Sequence, residues 1–133
     1  MNLVKLIPLP YLKENNGDLV VVEGSIIPFN MSRVFTVRAS KGSVRGEHAH
    51  RHCSQLLICT NGSVEVKCDD ISTTEIYVLD KPNFGLFIPP GIWADQKYIE
   101  NNTILTVLCD RPFEEADYIR NYDDFKIFLA NKI

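Results

Sequence analysis

The amino-acid sequence predicts an all-β fold, an antiparallel sandwich or barrel that ends in a short helical segment. Short apolar runs with alternating polar residues recur at similar intervals and are separated by turn residues, a pattern typical of such folds. Asn61-Gly62 stands between two of these runs and predicts a type I′ hairpin, because both residues tolerate positive φ. After Phe113 the apolar residues change to three- and four-residue steps, as on a helix face.

The predicted strands follow one another along most of the chain. In order, they are residues 19–23, 33–38, 55–60, 63–68, 75–79, 85–88 and 103–108. Each is rich in β-branched or large apolar residues, which favour a pleated, half-buried surface. Asp69-Asp70 predicts a further turn. Residues 113–130 predict one or two short helices that cap the barrel.

Length and charge limit the classes of protein to consider. The chain has 133 residues, which suits one domain spanning residues 1–133 with a substantial core. Its formal net charge is -3, which argues against a nucleic-acid partner, because such domains usually carry a basic stripe. A phosphorylated small ligand remains compatible, since a few well-placed arginines are enough to bind it.

The sequence also predicts where the protein works. Its first residues have no signal-peptide pattern, and no stretch approaches the roughly 18 apolar residues of a membrane span. We therefore expect a cytoplasmic protein with no membrane partner. The four cysteines are irregularly spaced, and we expect them to be reduced thiols.

All three histidines lie close together, at positions 48, 50 and 52. Residues two apart on a strand point to the same face. His48 and His50 are therefore predicted to project together into the barrel, joined by His52 if the strand continues. The alternative is a surface loop with solvated histidines, but the apolar run and turn that follow favour the strand.

The spacing around these histidines resembles the first motif of the cupin superfamily. Gly42 is followed after five residues by His48-Ala49-His50, after four more by Gln55, and after six more by Gly62. Only the motif's glutamate is changed, to Gln55. Residues 89–94 similarly resemble the second cupin motif, with Ala94 in place of its histidine. The resemblance implies a cupin jelly-roll β-barrel with a short C-terminal helix.

These two departures bear on metal binding. Metal-dependent cupins use both histidines of the first motif, its glutamate and the histidine of the second motif. Two imidazoles and the neutral amide of Gln55 form a weak site for zinc or iron. We therefore predict no metal and no other cofactor, and a metal-dependent cupin enzyme is an alternative.

A narrower resemblance covers nearly the whole chain. Its most specific parts are the residues Arg45-Gly46-Glu47-His48-Ala49-His50 and the segment from Asp117 to Phe125. Together they resemble the dTDP-4-keto-6-deoxy-D-glucose 3,4-ketoisomerase family. Membership implies an isomerase that makes a dTDP-3-keto-6-deoxyhexose for 3-amino-3,6-dideoxysugars of bacterial surface polysaccharide, including lipopolysaccharide O-antigen. It also implies a homodimer that exchanges N-terminal strands.

The histidines suit this chemistry. The C3 proton of the substrate is acidic because it lies next to the C4 carbonyl, and imidazole is a base of suitable strength. By resemblance, His48 is the carbon base and proton shuttle. His50 orients the substrate or handles the oxygen protons.

The candidate substrate-binding residues are Arg33, Arg45, Gln55, Trp93 and Lys97. Arg45 is placed to hold the pyrophosphate, and Trp93 either stacks on the ligand or packs at the barrel rim. We expect the charged residues of the C-terminal segment to form a solvated or dimer-stabilising helix face. These residues are Asp117, Arg120, Asp123 and Asp124.

Three positions depart from the narrower family. Phe35 stands where members often have a tyrosine, Ala94 where they have a histidine, and Asn16-Gly17 where an Arg-Gly pair is common. Phe35 lacks the hydroxyl of a tyrosine, so one hydrogen bond to the substrate is missing. A non-catalytic protein that binds a nucleotide-linked sugar is therefore a further alternative.

Overall fold

The computed structural model describes residues 3–132, and its strands form two five-stranded antiparallel sheets and a separate hairpin. In spatial order, the first sheet contains β1 (Lys5–Pro8), β9 (Phe84–Ile88), β6 (Gln55–Asn61), β11 (Thr103–Cys109) and β4 (Arg33–Ala39). The second contains β12 (Tyr118–Ile119), β5 (Val44–His50), β10 (Trp93–Tyr98), β7 (Val64–Asp69) and β8 (Thr74–Leu79). The hairpin joins β2 (Tyr11–Glu14) to β3 (Gly17–Val20).

The core lies mainly between the two sheets. Along β4, Phe35 and Val37 face this core while Val34 faces outward, following the two-residue period of a strand. The central strand β6 is buried on both faces: Leu57 belongs to the main core, and Leu56 to a second cluster beneath the N-terminal segment. This explains its continuous apolar run.

The turn at Asn61-Gly62 is not a hairpin, and the type I′ prediction is wrong. Strand β6 pairs with β9 and β11, whereas β7 pairs with β8 and β10, so the turn carries the chain from one sheet to the other. Of the two residues, only Gly62 has a positive φ, of 85°. A Cβ there would collide with Thr103, so close approach of the backbone requires glycine.

The C-terminal segment is only partly helical. A 3-10 turn (Glu115–Asp117) leads into β12, which pairs with the end of β5. The helix α1 (Tyr122–Ala130) follows, with Asn121 as its N-cap accepting a hydrogen bond from the Asp124 N–H at 3.1 Å. The helix prediction therefore applies to residues 122–130, and the strand between the two helical pieces was missed.

Three further strands were not predicted: β1, β2 and β10. The predicted strand at residues 19–23 is displaced, since β3 ends at Val20. Within residues 3–132, no helix is both long and apolar enough to cross a membrane. All four cysteines are free and buried.

Candidate active site

A β-bulge in β5 precedes the histidines. Ala94 of β10 pairs with His48, but the next residue, Asp95, pairs with Gly46, so Glu47 is the additional residue. Gly46 and Glu47 have φ values of 89° and 55°. The positive φ of Gly46 favours glycine, and a Cβ there would also lie 3.1 Å from the Ala94 carbonyl oxygen and 2.8 Å from the Gln96 side chain. Bulges of this kind redirect side chains next to functional sites.

The bulge opens onto a cavity of about 260 Å³ between the two sheets. One side is polar and cationic, with three arginines, and the floor is apolar. The lining residues are Arg33, Phe35, Val37, Arg45, Gly46, His48, Gln55, Leu57, Gln96, Leu105, Val107, Tyr118 and Arg120. Three guanidinium groups around one small cavity favour an anionic ligand.

The hydrogen bond of His48 defines its tautomer. Its Nδ1 lies 3.0 Å from the carbonyl oxygen of Gly46. A carbonyl oxygen only accepts, so the neutral imidazole carries its proton on Nδ1 and leaves Nε2 unprotonated. His48 lines the cavity, and it therefore offers a base at the wall of an arginine-rich pocket.

His50 is held by a buried carboxylate. Its Nδ1 donates to Asp117 Oδ2 at 2.8 Å, and the other oxygen of Asp117 accepts the backbone N–H of His52 at 2.6 Å. His50 and Asp117 are only 8% and 6% exposed. The Nε2 atom of His50 is buried and has no hydrogen-bond partner among residues 3–132. Asp117 thus fixes the tautomer and ring orientation of His50.

The two imidazoles and a tyrosine form a compact aromatic group. The His48 and His50 ring centroids lie 5.0 Å apart with the rings perpendicular, and the Tyr118 centroid lies 4.9 Å from His48 and 4.5 Å from His50. His50 is thus in direct contact with His48, but it lies behind the cavity wall and is not part of its lining.

Burial keeps both imidazoles neutral. It lowers the pKa of His48 to about 4, with further contributions from the neighbouring His50 and Arg120. Burial also lowers the pKa of His50, although the Asp117 carboxylate opposes that effect. Desolvation disfavours a charged imidazolium, so at neutral pH the two rings are uncharged.

The sequence-predicted substrate-binding residues divide into two groups. Arg33, Arg45 and Gln55 line the cavity together with His48. Trp93 and Lys97 lie on the opposite face of β10 from the cavity-lining Gln96, because their positions differ from it by an odd number of residues. Trp93 packs against Tyr122 and Phe125 of α1, and Lys97 is exposed to solvent.

Phe35 holds an arginine in the cavity wall. The Arg33 guanidinium carbon lies 4.5 Å from the Phe35 ring centroid and 5.3 Å from that of Phe113. These cation–π contacts orient a charged group that would otherwise be flexible. Although Phe35 lacks a hydroxyl, it contributes to the site through Arg33.

Three residues of the site were not predicted from the sequence: Asp117, Tyr118 and Arg120. A solvated helix face is wrong for Asp117, which is buried against His50, and Arg120 lines the cavity. The reason is the strand β12, which lies next to β5 and turns this segment toward the histidines. The signal was present, since these residues belong to the specific C-terminal segment of the resemblance.

Arg120 is also oriented by its neighbours. Its guanidinium carbon lies 4.3 Å from the Tyr118 ring centroid, and Nε and Nη2 donate to the Glu115 carboxylate at 2.7 and 2.9 Å. Asp123 and Asp124, in contrast, are exposed at the start of α1. Of the four charged residues, two therefore belong to the site and two do not.

One group of side chains within residues 3–132 has the spacing of metal ligands. Atoms of His50, Cys53 and Asp117 lie within 4.8 Å of one another. Asp117 already accepts two hydrogen bonds there. A nearby thiol and burial raise the pKa of Cys53 and keep it protonated, whereas metals bind the thiolate. These donors fit a metal poorly, and the absence of a catalytic metal stays a prediction.

Comparisons with known proteins agree with this geometry. The profile of the family described as "FdtA: WxcM-like, C-terminal" matches residues 2–130. The TDP-4-oxo-6-deoxy-alpha-D-glucose-3,4-oxoisomerase of Aneurinibacillus thermoaerophilus is 36% identical over 128 residues, which are 95% of this chain and 92% of that protein. The alignment covers nearly all of both proteins, so the similarity extends over the whole barrel.

Solved structures show the same architecture. The sugar 3,4-ketoisomerase QdtA from Thermoanaerobacterium thermosaccharolyticum, in complex with TDP, is 33% identical with a TM-score of 0.95, covering 100% of this chain and 98% of that chain. The WlaRB TDP-quinovose 3,4-ketoisomerase from Campylobacter jejuni is 32% identical with a TM-score of 0.90, covering 98% and 100%. The cupin fold and the family resemblance are confirmed: this chain belongs to the FdtA (WxcM-like, C-terminal) family of sugar 3,4-ketoisomerases.

Proposed function

We propose that this protein is a sugar 3,4-ketoisomerase that converts a dTDP-4-keto-6-deoxyhexose to the dTDP-3-keto-6-deoxyhexose. The observation that carries the proposal is the unprotonated Nε2 of His48 on a cavity lined by three arginines. A base next to a cationic pocket suits proton abstraction from a sugar attached to a pyrophosphate. The activities of the relatives, a TDP-4-oxo-6-deoxyglucose oxoisomerase and two 3,4-ketoisomerases, support the same reaction.

Substrate binding depends on the charged side of the cavity. Arg33, Arg45 and Arg120 surround the space and hold the pyrophosphate through charge-assisted hydrogen bonds. Gln55 donates from Nε2 to the Cys109 sulfur at 3.5 Å, which leaves its carbonyl oxygen to accept a hydrogen bond from a sugar hydroxyl. Trp93 and Lys97 contribute only indirectly, because they lie outside the cavity.

Proton transfer at carbon is the role of His48. Its Nε2 removes the C3 proton, which is acidic because the C4 carbonyl stabilises the resulting enediolate. The imidazolium then returns that proton to C4. The O3 hydroxyl also loses its proton and O4 gains one, so C4 carries a hydroxyl, the carbonyl forms at C3, and the substrate is neither oxidised nor reduced overall. The three cavity arginines favour the negative charge of the enediolate.

Proton transfer at oxygen is the role of His50. Its Nδ1–H is committed to Asp117, so Nε2 is the remaining acceptor. Because Nε2 is buried behind the cavity wall, substrate binding must shift the adjoining His48 or Tyr118 ring for a sugar oxygen to reach it. The carboxylate stabilises an imidazolium at this position, as expected for a base whose partner is fixed and buried. The contact of its ring with His48 and Tyr118 keeps the two bases side by side.

The direct test is incubation with dTDP-4-keto-6-deoxyglucose. We expect conversion to the 3-keto isomer, detected by trapping with an aminotransferase or by NMR of the sugar. Treatment with EDTA should leave the rate unchanged, because the proposed steps use only side chains. Binding of dTDP without any turnover of the keto sugar would contradict the proposal and favour a non-catalytic sugar-binding protein.

The pH dependence of the rate should reveal the low pKa of His48. In the free enzyme this pKa is about 4 rather than 6.5, and kcat/KM reports the free enzyme. The acid limb of the pH profile of kcat/KM should therefore lie well below pH 6. The bound pyrophosphate adds negative charge and raises the pKa of His48, so the acid limb of kcat should lie at higher pH than that of kcat/KM.

A stability measurement must accompany this pH profile. A pKa lowered on folding means that the unfolded chain takes up a proton first, so His48 reduces stability as the pH falls from about 6.5 to about 4. Circular dichroism over the same range separates unfolding from titration. An acid limb of kcat/KM at pH 6.5 or above, with the protein folded, would contradict the assignment.

We further propose that the protein is a homodimer that exchanges its N-terminal strands. The β2–β3 hairpin belongs to neither large sheet, and its Tyr11, Leu12 and Leu19 side chains are exposed. An isolated two-stranded hairpin is marginally stable in water, and β4 is an edge strand of its sheet that can accept another strand. Light scattering that shows a monomer at micromolar concentration would contradict the dimer.

The proposed setting is the cytoplasm of a bacterium that makes 3-amino-3,6-dideoxysugars for its surface polysaccharide or O-antigen. The four free cysteines suit a reducing compartment. A 3-keto sugar is a substrate for an aminotransferase, so this class of enzyme should act on the product.

A further inference from the structure

A second and larger cleft, of about 720 Å³, lies beside α1. It shares no lining residue with the histidine cavity. Three cationic side chains converge on it, and each belongs to a residue shortly after the end of an element: Arg51 after β5, Arg111 after β11 and Lys132 after α1. The floor is partly apolar, since Phe128 and Pro90 also line the cleft.

The charges in this cleft are not balanced within residues 3–132. Arg51 and Lys132 both approach the same ring, at 5.5 and 5.3 Å from the Phe128 centroid. The Arg120–Glu115 ion pair and the His50–Asp117 hydrogen bond of the described residues lie elsewhere and do not involve these cations. Among the described residues, Asp124 is the one acidic residue in the lining, and no cation of these residues forms an ion pair with it within 4.0 Å. Like charges in one concave site repel each other, and an anion relieves that repulsion.

We propose that this cleft binds a phosphorylated organic molecule at a site separate from the catalytic cavity. The phosphate lies among Arg51, Arg111 and Lys132, whose guanidinium and ammonium groups donate to its oxygens. The organic part packs on the Phe128 ring and Pro90, as apolar portions of small ligands do. Net charge alone would not attract an anion, because the chain carries a formal charge of -3.

The site adjoins the catalytic residues through one peptide segment. The backbone N–H of Arg51 donates to the Asp117 carbonyl oxygen at 2.8 Å, and that of the next residue, His52, donates to the Asp117 carboxylate. The residue that would hold the ligand, Arg51, is therefore hydrogen-bonded through its own backbone to Asp117, which is the partner of His50. The amides of this segment are suitable reporters of binding.

The test is an NMR titration of the full chain with phenyl phosphate and with inorganic phosphate, at constant ionic strength maintained with chloride. We expect saturable shifts of the amides at residues 51, 52, 111 and 127–132. Phenyl phosphate should bind several-fold more tightly than inorganic phosphate, because only the former uses Phe128. Shifts that stay linear, or that match those produced by chloride, would overturn the proposal.

Matched variants make the assignment specific. Arg111→Ala/Lys132→Ala should weaken binding in the cleft at least tenfold and leave the KM for the keto sugar unchanged. Lys81→Ala/Lys126→Ala removes two exposed lysines outside both cavities and should leave binding unchanged. Equal weakening in the two double variants would show a non-specific effect of charge and overturn the site.

Discussion

Replacing His48 with Asn is expected to reduce turnover by about 10²–10⁴-fold, the typical contribution of a general base. The affinity for dTDP should remain nearly unchanged, because Asn is polar and similar in shape and the arginines of the cavity remain. Asn cannot accept a proton near neutral pH, and so the C3 proton stays in place. The measurement is a single-turnover assay that traps the 3-keto sugar, combined with calorimetry of dTDP binding.

His52→Asn is the matched control for this experiment. His52 is exposed and lies beyond the end of β5, and only its backbone N–H takes part in the site. The control should therefore turn over at the wild-type rate. Near-wild-type turnover of His48→Asn would show that another group removes the C3 proton, and His50→Asn would then be the next variant to measure.

Asp117→Asn should reduce turnover by up to about 10⁴-fold, the loss found when the carboxylate that orients the imidazole of a catalytic triad is replaced by its amide. The Asn oxygen can still accept the His52 N–H, and its NH₂ group then faces Nδ1 of His50. This arrangement moves the His50 proton from Nδ1 to Nε2 and removes the oxygen base. The affinity for dTDP should stay unchanged, since Asp117 does not line the cavity.

A tautomer measurement distinguishes this positioning role from a loss of structure. Nitrogen-15 NMR of the His50 ring should show Nδ1–H in the wild-type protein and Nε2–H in Asp117→Asn. Asp117→Ala should in addition lower stability by about 1–3 kcal/mol, because it leaves buried donors without a partner. If Asp117→Asn lost activity while His50 kept its Nδ1–H tautomer, the positioning role would be excluded.

Much of the barrel could be predicted because its strands have a local signal. Alternation identified β4, and a buried apolar run identified β6. The histidine spacing alone predicts that His48 and His50 lie on one strand. Arg33, Arg45 and Gln55, which lie on these strands, were predicted as substrate-binding residues and do line the cavity.

The parts of the fold and of the site that the sequence does not predict depend on contacts between segments that are far apart along the chain. Asp117 and His50 are 67 residues apart, and nothing near Asp117 in the sequence shows that two residues of strand follow it. Trp93 and Lys97 are predicted as substrate-binding residues, but the sequence gives no signal for β10. The pairing of that strand decides which of its side chains face the cavity, and these two face away. The turn at Gly62 looked like a hairpin because dipeptide preference does not encode the partner of a strand.

The short pairing of β12 with β5 has a consequence for how the catalytic site assembles. Within the described part of the C-terminal segment, Tyr118 and Ile119 are the two residues that pair with β5, while the fully buried Phe125 of α1 packs in a cluster with Ala49 and Ile119. Joining segments so far apart in the sequence carries a loop-closure cost, which this short pairing and the packing of α1 must offset. A barrel whose C-terminal segment is still detached has His48 in place, but it lacks the aspartate, the tyrosine and one cavity arginine. Acquisition of full activity is therefore expected to require docking of α1.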